Sequence, residues 1–216
     1  NLRKKNDLYY TPSFETISAF GSHAALPHYQ VNTKSNINFL NNSIYLVDSG
    51  AQYYDGTTDI TRTVIIGVAS KEQKDRFTRV LKGHIAVAQF KLSQNTLSSE
   101  IDSIARKSLK EINCDYDHGT GHGIGSFLSV HEGPQRISKF AKKNVSKIKV
   151  GMILSNEPGY YKEMEYGIRI ENLIICCLNH KNKLFFETIS WAPIDRDLID
   201  ISLLDNNEVT WLNSYH

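Results

Sequence analysis

The sequence predicts an α+β fold of two related halves, and three observations predict it. Runs of β-branched and aromatic residues with strand character share the chain with two long stretches of helical periodicity. Two hairpin-like segments each place an acid at the end of a buried strand and a second on the return strand. Asp48 and Asp59 are eleven residues apart, Glu157 and Glu171 fourteen. Each segment crosses a Tyr-rich, Gly-containing turn, at Tyr53-Tyr54 and at Tyr160-Tyr161. The match reads as a weak internal duplication, in which two half-domains bring similar hairpins to one shared site.

The elements follow in order. Residues up to Pro27 read as strand and loop. Ser43 to Asp48 (Ser-Ile-Tyr-Leu-Val-Asp) reads as a buried strand. Tyr54-Asp55-Gly56-Thr57 is a hairpin turn signal, and Ile60 to Ile66 forms the return strand. Ser70 with Gln73 makes a capping box. Behind it Phe77, Val80, Leu81, Ile85, Ala88 and Leu92 form one stripe of an amphipathic helix of about five turns. A second helix begins at Ser98 or Ser99, with Ile101, Ile104, Ala105, Ser108, Leu109 and Ile112 on one face. Gly119 to Gly125 is too rich in glycine for helix or ordinary strand. Met152 to Asn156 is a strand, Gly167 to Cys177 its partner, and Lys183 to Ile189 a further strand.

Composition suits one domain over residues 1–216: 40% of residues are hydrophobic and 22% charged. The balance of 25 basic and 23 acidic residues gives no electrostatic case for nucleic acid or an anionic membrane. No apolar run reaches the length of a membrane span. The basic runs Arg3-Lys4-Lys5 and Lys142-Lys143 read as solvated faces. Cys114, Cys176 and Cys177 make no disulfide framework, which favours a reducing compartment. The sequons at Asn41 and Asn144 carry no weight there. The chain starts at Asn1 and reads as part of something longer.

The acids carry the chemistry. Asp48 follows Tyr45-Leu46-Val47 and Glu171 follows Ile168-Arg169-Ile170, apolar settings in which an unpaired charge is costly. A single such acid is best read as a turn cap or as the partner of Arg62 or Arg169. Four acids in matched hairpins are better explained by a shared cation. Four carboxylates with one imidazole suit two divalent ions, and the mixed oxygen and nitrogen set points to Mn, Co, Zn or Fe(II). His122 stands between glycines, which let the backbone approach a ligand closely. His118 and His131 lie nearby and can supply acid–base or oxyanion-stabilising groups. A mononuclear zinc site fits poorly: no His-Glu-x-x-His is present and the four acids stay unexplained.

Five segments in order resemble the pita-bread metallopeptidase family, and within it the Xaa-Pro aminopeptidases of the eukaryotic cytosolic kind. They are Asp48-Ser49-Gly50-Ala51-Gln52-Tyr53 with Asp59-Ile60-Thr61-Arg62-Thr63; His118-Gly119-Thr120-Gly121-His122-Gly123; Val130-His131-Glu132-Gly133-Pro134; Asn156-Glu157-Pro158-Gly159-Tyr160-Tyr161; and Gly167-Ile168-Arg169-Ile170-Glu171-Asn172. The likeness runs from about Phe14 to the C-terminal Trp211 to Tyr215. It implies a pita-bread fold, two pseudo-symmetric αβ halves around a dinuclear metal site. The ligands would be Asp48, Asp59, His122, Glu157 and Glu171, with Asp59 and Glu171 bridging. Glu157 would also take the proton of the attacking water, and His131 would shuttle a proton. His28, His118 and His131 would bind substrate, and Arg169 would orient the bridging carboxylates. The implied reaction is hydrolysis of the bond between an N-terminal residue and a penultimate proline, through a metal-bridging hydroxide. The implied cofactors are two divalent ions, usually Mn2+, with Zn2+ or Co2+ as alternatives. Peptides with proline at position 2 are the implied partners, with no nucleic acid or membrane, and a homodimer of the full-length protein stays open. The implied compartment is the cytoplasm, and the chain would be a catalytic domain truncated at both ends. The segment Gly21 to Tyr29 departs from the family, which usually has Asn-Gly before its His-Tyr pair; here Pro27 precedes His28, and His23 is read as a surface residue. The alternatives are a binding module on this scaffold that has lost catalysis, and an inactive fragment of an active enzyme.

Overall fold

The computed structural model describes residues 2–140 and 147–216; the Lys142-Lys143 run and the Asn144 sequon lie outside them. The first half opens with β1 (Tyr9–Pro12), β2 (Ile17–Phe20) and a 3₁₀ turn (Gly21–Ala25). It continues with β3 (Ser43–Asp48), β4 (Ala51–Tyr53), β5 (Gly56–Thr57) and β6 (Thr61–Ile66). Helices α1 (Lys71–Ala88) and α2 (Ser98–Lys110) follow. The short pair β7 (Gly121–His122) and β8 (Arg136–Ile137) leads to β9 (Ile153–Asn156), β10 (Gly159–Lys162), β11 (Tyr166–Arg169), β12 (Asn172–Leu178) and β13 (Leu184–Thr188). The chain closes with two 3₁₀ turns and α3 (Asn206–Tyr215).

The duplication is visible in the pairing. The first half holds the antiparallel sheet β2-β3-β6, and the second half β13-β12-β9. In each, a smaller hairpin is inserted between two paired strands: β4/β5 between β3 and β6, β10/β11 between β9 and β12. Each expected hairpin is therefore two nested hairpins. Tyr54-Asp55 turns only the inner one, and the stretch expected as a single strand from Gly167 to Cys177 breaks at Ile170-Glu171 into β11 and β12. That break is what places Glu171 at a bend rather than mid-strand.

Strand β3 alternates, with Ile44, Leu46 and Asp48 buried on one face. Helix α1 begins at the Ser70–Gln73 capping box and spans 18 residues, about five turns. It buries Phe77, Val80, Leu81 and Ile85 against Ile44, Ile168 and Ile170. It stops at Ala88, so Leu92 is buried from the following loop instead. Helix α2 packs Ile101 and Ala105 with Leu154, Ile174, Cys176 and Phe186. The two helices approach so closely at Gly83 that a Cβ there would come within 2.2 Å of the Ala105 carbonyl oxygen. Ile104, expected on the buried face of α2, is exposed, while Asp102 and Arg106 are buried. The two polar side chains satisfy one another, so the buried face is rotated from the one hydrophobicity alone selects.

The halves are sewn together at β6 and β11. The Thr63 hydroxyl accepts from the Arg169 N–H (3.0 Å) and donates to the Arg169 carbonyl (2.9 Å). The Glu171 N–H donates to the Thr61 carbonyl at 3.1 Å. This seam brings the bend carrying Glu171 beside the end of β3.

Candidate metal centre

Asp48, Asp59, His122, Glu157 and Glu171 converge on one cavity of about 690 Å³, whose wall also includes His28, His118, His131 and Arg169. Every residue that the sequence marks for the site therefore meets there. Asp59, His122 and Glu171 offer ligand atoms all within 4.8 Å of one another. The His122 Nε2 stands 3.5 Å from Asp59 Oδ2 and 3.3 Å from Glu157 Oε1. Asp48 Oδ2 accepts from Arg169 Nη2 at 2.7 Å. Asp48 Oδ1 and Asp59 Oδ1 are buried and accept no hydrogen bond from the described residues, the condition of an oxygen that ligates a cation.

The electrostatics agree. Burial pushes Glu171 well above the usual carboxylate range, and Asp59, Glu157 and Asp48 push it further. Glu157 rises to about 7, first through burial, with Asp59 and Asp48 adding to it against the pull of His122 and Arg169. Burial raises Asp48 against the opposing pull of Arg169. Burial works against the charged form of His122, but Asp59 and Glu157 prevail and lift it to about 9. This is a site with too much negative charge for its surroundings, and the proton on His122 partly offsets it. A divalent cation does the same more effectively.

The histidine tautomers follow from their partners. His122 Nδ1 faces the Gly123 carbonyl at 3.1 Å and must donate to it, leaving Nε2 for the site. Ligating histidines commonly make this second bond. His118 Nδ1 likewise donates to the Gly119 carbonyl at 2.8 Å, so Nε2 accepts from the Tyr161 hydroxyl at 2.9 Å. Tyr161 in turn accepts from Arg169 Nη1 at 2.8 Å. Burial holds His118 down at about 4, so it is neutral at ordinary pH. The ring of His131 stands edge-on to His122, centroids 4.1 Å apart; burial and the His122 charge lower its pKa as well. His28 reaches the cavity wall despite Pro27, while His23 stacks on Tyr29 at 4.4 Å. Arg62 pairs with none of the four acids: it donates to the carbonyls of Thr61, Glu171, Ala192 and Pro193.

Residues 1–176 match the metallopeptidase family M24, and residues 182–216 match the C-terminal region of peptidase M24. The chain belongs to metallopeptidase family M24. This M24 chain is 47% identical to Aminopeptidase P2 of Arabidopsis thaliana over 222 residues, covering all of this chain and 31% of that protein. It is 45% identical to the probable Xaa-Pro aminopeptidase P of Coprinopsis cinerea, over 99% of this chain and 36% of that one. Its fold overlays the X-prolyl aminopeptidase of Caenorhabditis elegans, described as a cytosolic enzyme with a di-nuclear active site. There the TM-score is 0.93 at 42% identity, over 100% of this chain and 36% of that one. The prolidase of Pyrococcus furiosus overlays with a TM-score of 0.74 at 29% identity, over 86% of this chain and 51% of that one. The two-halved architecture is the pita-bread fold of these M24 enzymes. The chain spans about a third of the length of the curated relatives it matches.

Several residues of the M24 site carry no label in the sequence. Thr61 Oγ1 donates to Glu171 Oε2 at 2.7 Å, and Ser155 Oγ donates to Glu157 Oε1 at 3.0 Å while accepting from the His122 N–H. Tyr161 links His118 to Arg169. Thr and Ser at strand ends are common, and only their cross-strand neighbours reveal these roles. From α1, His84 Nδ1 meets the Asn156 carbonyl at 3.2 Å and the Asn156 amide donates to the His84 carbonyl at 3.0 Å, bracing the strand end before Glu157.

Proposed function

We propose that the full-length protein is an Xaa-Pro aminopeptidase. It hydrolyses the bond between an N-terminal residue and a penultimate proline in a cytosolic setting. The observation that supports this most is the convergence of four carboxylates and His122 Nε2 on one cavity, in a chain similar along its whole length to proteins of that name. Asp48, Asp59, His122, Glu157 and Glu171 would hold two divalent cations, with Asp59 and Glu171 bridging, and Mn2+ is the metal we assign. When bound there, the cations would supply positive charge to polarise the scissile carbonyl and to lower the pKa of the attacking water.

The chain's own residues do the rest. Glu157, 3.3 Å from His122 Nε2 and bonded by the Ser155 hydroxyl, would accept a proton from water and pass it on. His131, neutral and beside His122, is placed to carry a proton to the leaving amine. Arg169 orients Asp48 and favours its charged form, and Thr61 orients Glu171. His118 has its Nε2 committed to Tyr161, so it presents a ring edge and the adjoining backbone to the substrate. His28 lies on the wall where the proline side would sit.

The full-length protein loaded with Mn2+ is expected to release arginine from Arg-Pro-Pro and to leave the dipeptide Gly-Pro intact, read by chromatography of the products. Cleavage of Gly-Pro would move the assignment to a prolidase. Absence of turnover on every X-Pro peptide would sink the assignment, and a metal content near zero in chelator-free protein would then favour a binding module.

A further inference from the structure

Residues 118–122 carry both His118 and His122, yet only Gly121 and His122 lie in a strand. What fixes the rest is buried beneath it. Thr120, midway between the histidines, has no solvent exposure. Its hydroxyl donates to Asp102 Oδ1 at 2.7 Å, and its N–H points at the same oxygen at 3.3 Å. Its carbonyl accepts the Glu157 N–H at 2.8 Å. With its hydroxyl proton given to Asp102, Thr120 Oγ1 accepts from the Tyr116 hydroxyl. Asp102 sits on α2 in a two-point pair with Arg106, at 2.7 and 3.0 Å. Arg106 Nη2 reaches on to the His118 carbonyl at 2.6 Å.

Both members of this ion pair are about 1% exposed. Such a pair contributes little net stability over apolar packing, because desolvation cancels most of its attraction. Its bonds run to the carbonyl of His118 and to the residue that carries the Glu157 amide. We infer that Thr120, docked on the Asp102–Arg106 pair of α2, is a positioning residue that holds His118, His122 and Glu157 in mutual register. The inference rests on the reaction proposed above: displacement of these groups by about 1 Å would cost about a hundredfold in rate.

The test uses the full-length protein with Thr120→Val and Thr120→Ser. Valine matches threonine in shape and removes the hydroxyl, while Asp102 Oδ1 keeps Arg106 and the residue-120 N–H; serine retains the hydroxyl. Thr120→Val is expected to lower kcat and weaken Mn2+ binding, read by calorimetric titration, each by about 10- to 100-fold. KM is expected to change by less than about twofold. Thr120→Ser is expected to restore kcat and Mn2+ affinity to within about threefold of the parent. A Thr120→Val protein that matches the parent in both overturns the inference, as does a Thr120→Ser protein impaired to the same degree as Thr120→Val. Should Thr120→Val not fold, Thr120→Ala removes the same hydroxyl without adding bulk, and unchanged kcat and Mn2+ affinity there overturn it too. Failure of the parent to cleave X-Pro peptides counts against the function, and the Mn2+ titration still judges the positioning role.

Discussion

The two acid-bearing hairpins share a topology but not a register. In the first half Asp48 lies opposite Thr61, within the ladder of β3 and β6. In the second half that place belongs to Asn156, opposite Asn172, and Glu157 comes one residue later. The return acids are shifted as well: Asp59 precedes its ladder by two residues, Glu171 by one. A longer inner hairpin in the second half accounts for the wider spacing, and glutamate's extra methylene lets an acid on a shifted backbone reach the common centre. The halves also stabilise one another crosswise. Arg169 of the second half holds Asp48 of the first, and Thr61 of the first holds Glu171 of the second. Each half thus holds an acid of the other in place.

The comparison breaks first at Asp59 and Glu171, the positions proposed to bridge the two cations. If the halves are equivalent, Asp59→Asn and Glu171→Gln should each lower kcat/KM on an X-Pro peptide by about a thousandfold, the equivalent of about 4 kcal/mol. Metal content should fall with each. Near-normal activity in one variant alone would show that the halves contribute unequally.

The crosswise holds come next. In metal-stripped protein, Arg169→Met leaves the buried Asp48 carboxylate without its partner and should cost about 3–5 kcal/mol in urea unfolding. Thr61→Val, which removes one hydrogen bond to Glu171, should cost about 1–3 kcal/mol. The reverse order would mean that Glu171, not Asp48, depends more on the opposite half.

A pH dependence sharpens the picture further. A cation must displace the proton from His122, held up at about 9, and compete for Glu157 at about 7. Metal affinity therefore rises with pH from about 6 to 9, by up to about tenfold per unit for each proton released. Calorimetry in buffers of different ionisation enthalpy counts those protons. A flat profile would show that the groups are already deprotonated without metal.

Much of this was legible in the chain. The acids stand at the ends of strands with unmistakable β character, and the Ser70–Gln73 box marks the helix start to the residue. The glycines around His122 announce a close approach, and the structure shows why: a Cβ at Gly121 would lie 2.0 Å from the Ser155 carbonyl oxygen. These signals are local, set by side-chain periodicity and by backbone freedom over a few residues. The buried face of α2 was not legible, because Asp102 and Arg106 count as polar until their mutual pairing is seen. The resemblance put Arg169 on the bridging acids Asp59 and Glu171, whereas in the structure it bonds Asp48. Arg62 and Arg169 both flank site acids in sequence, yet only Arg169 reaches Asp48, across 121 residues of chain. By itself, the sequence determined which acids and histidines meet at the site and the two-fold repetition of the hairpin. Only the tertiary structure decided their partners, tautomers and charge, because those depend on desolvation and on neighbours that the seam between β6 and β11 brings together from distant parts of the chain.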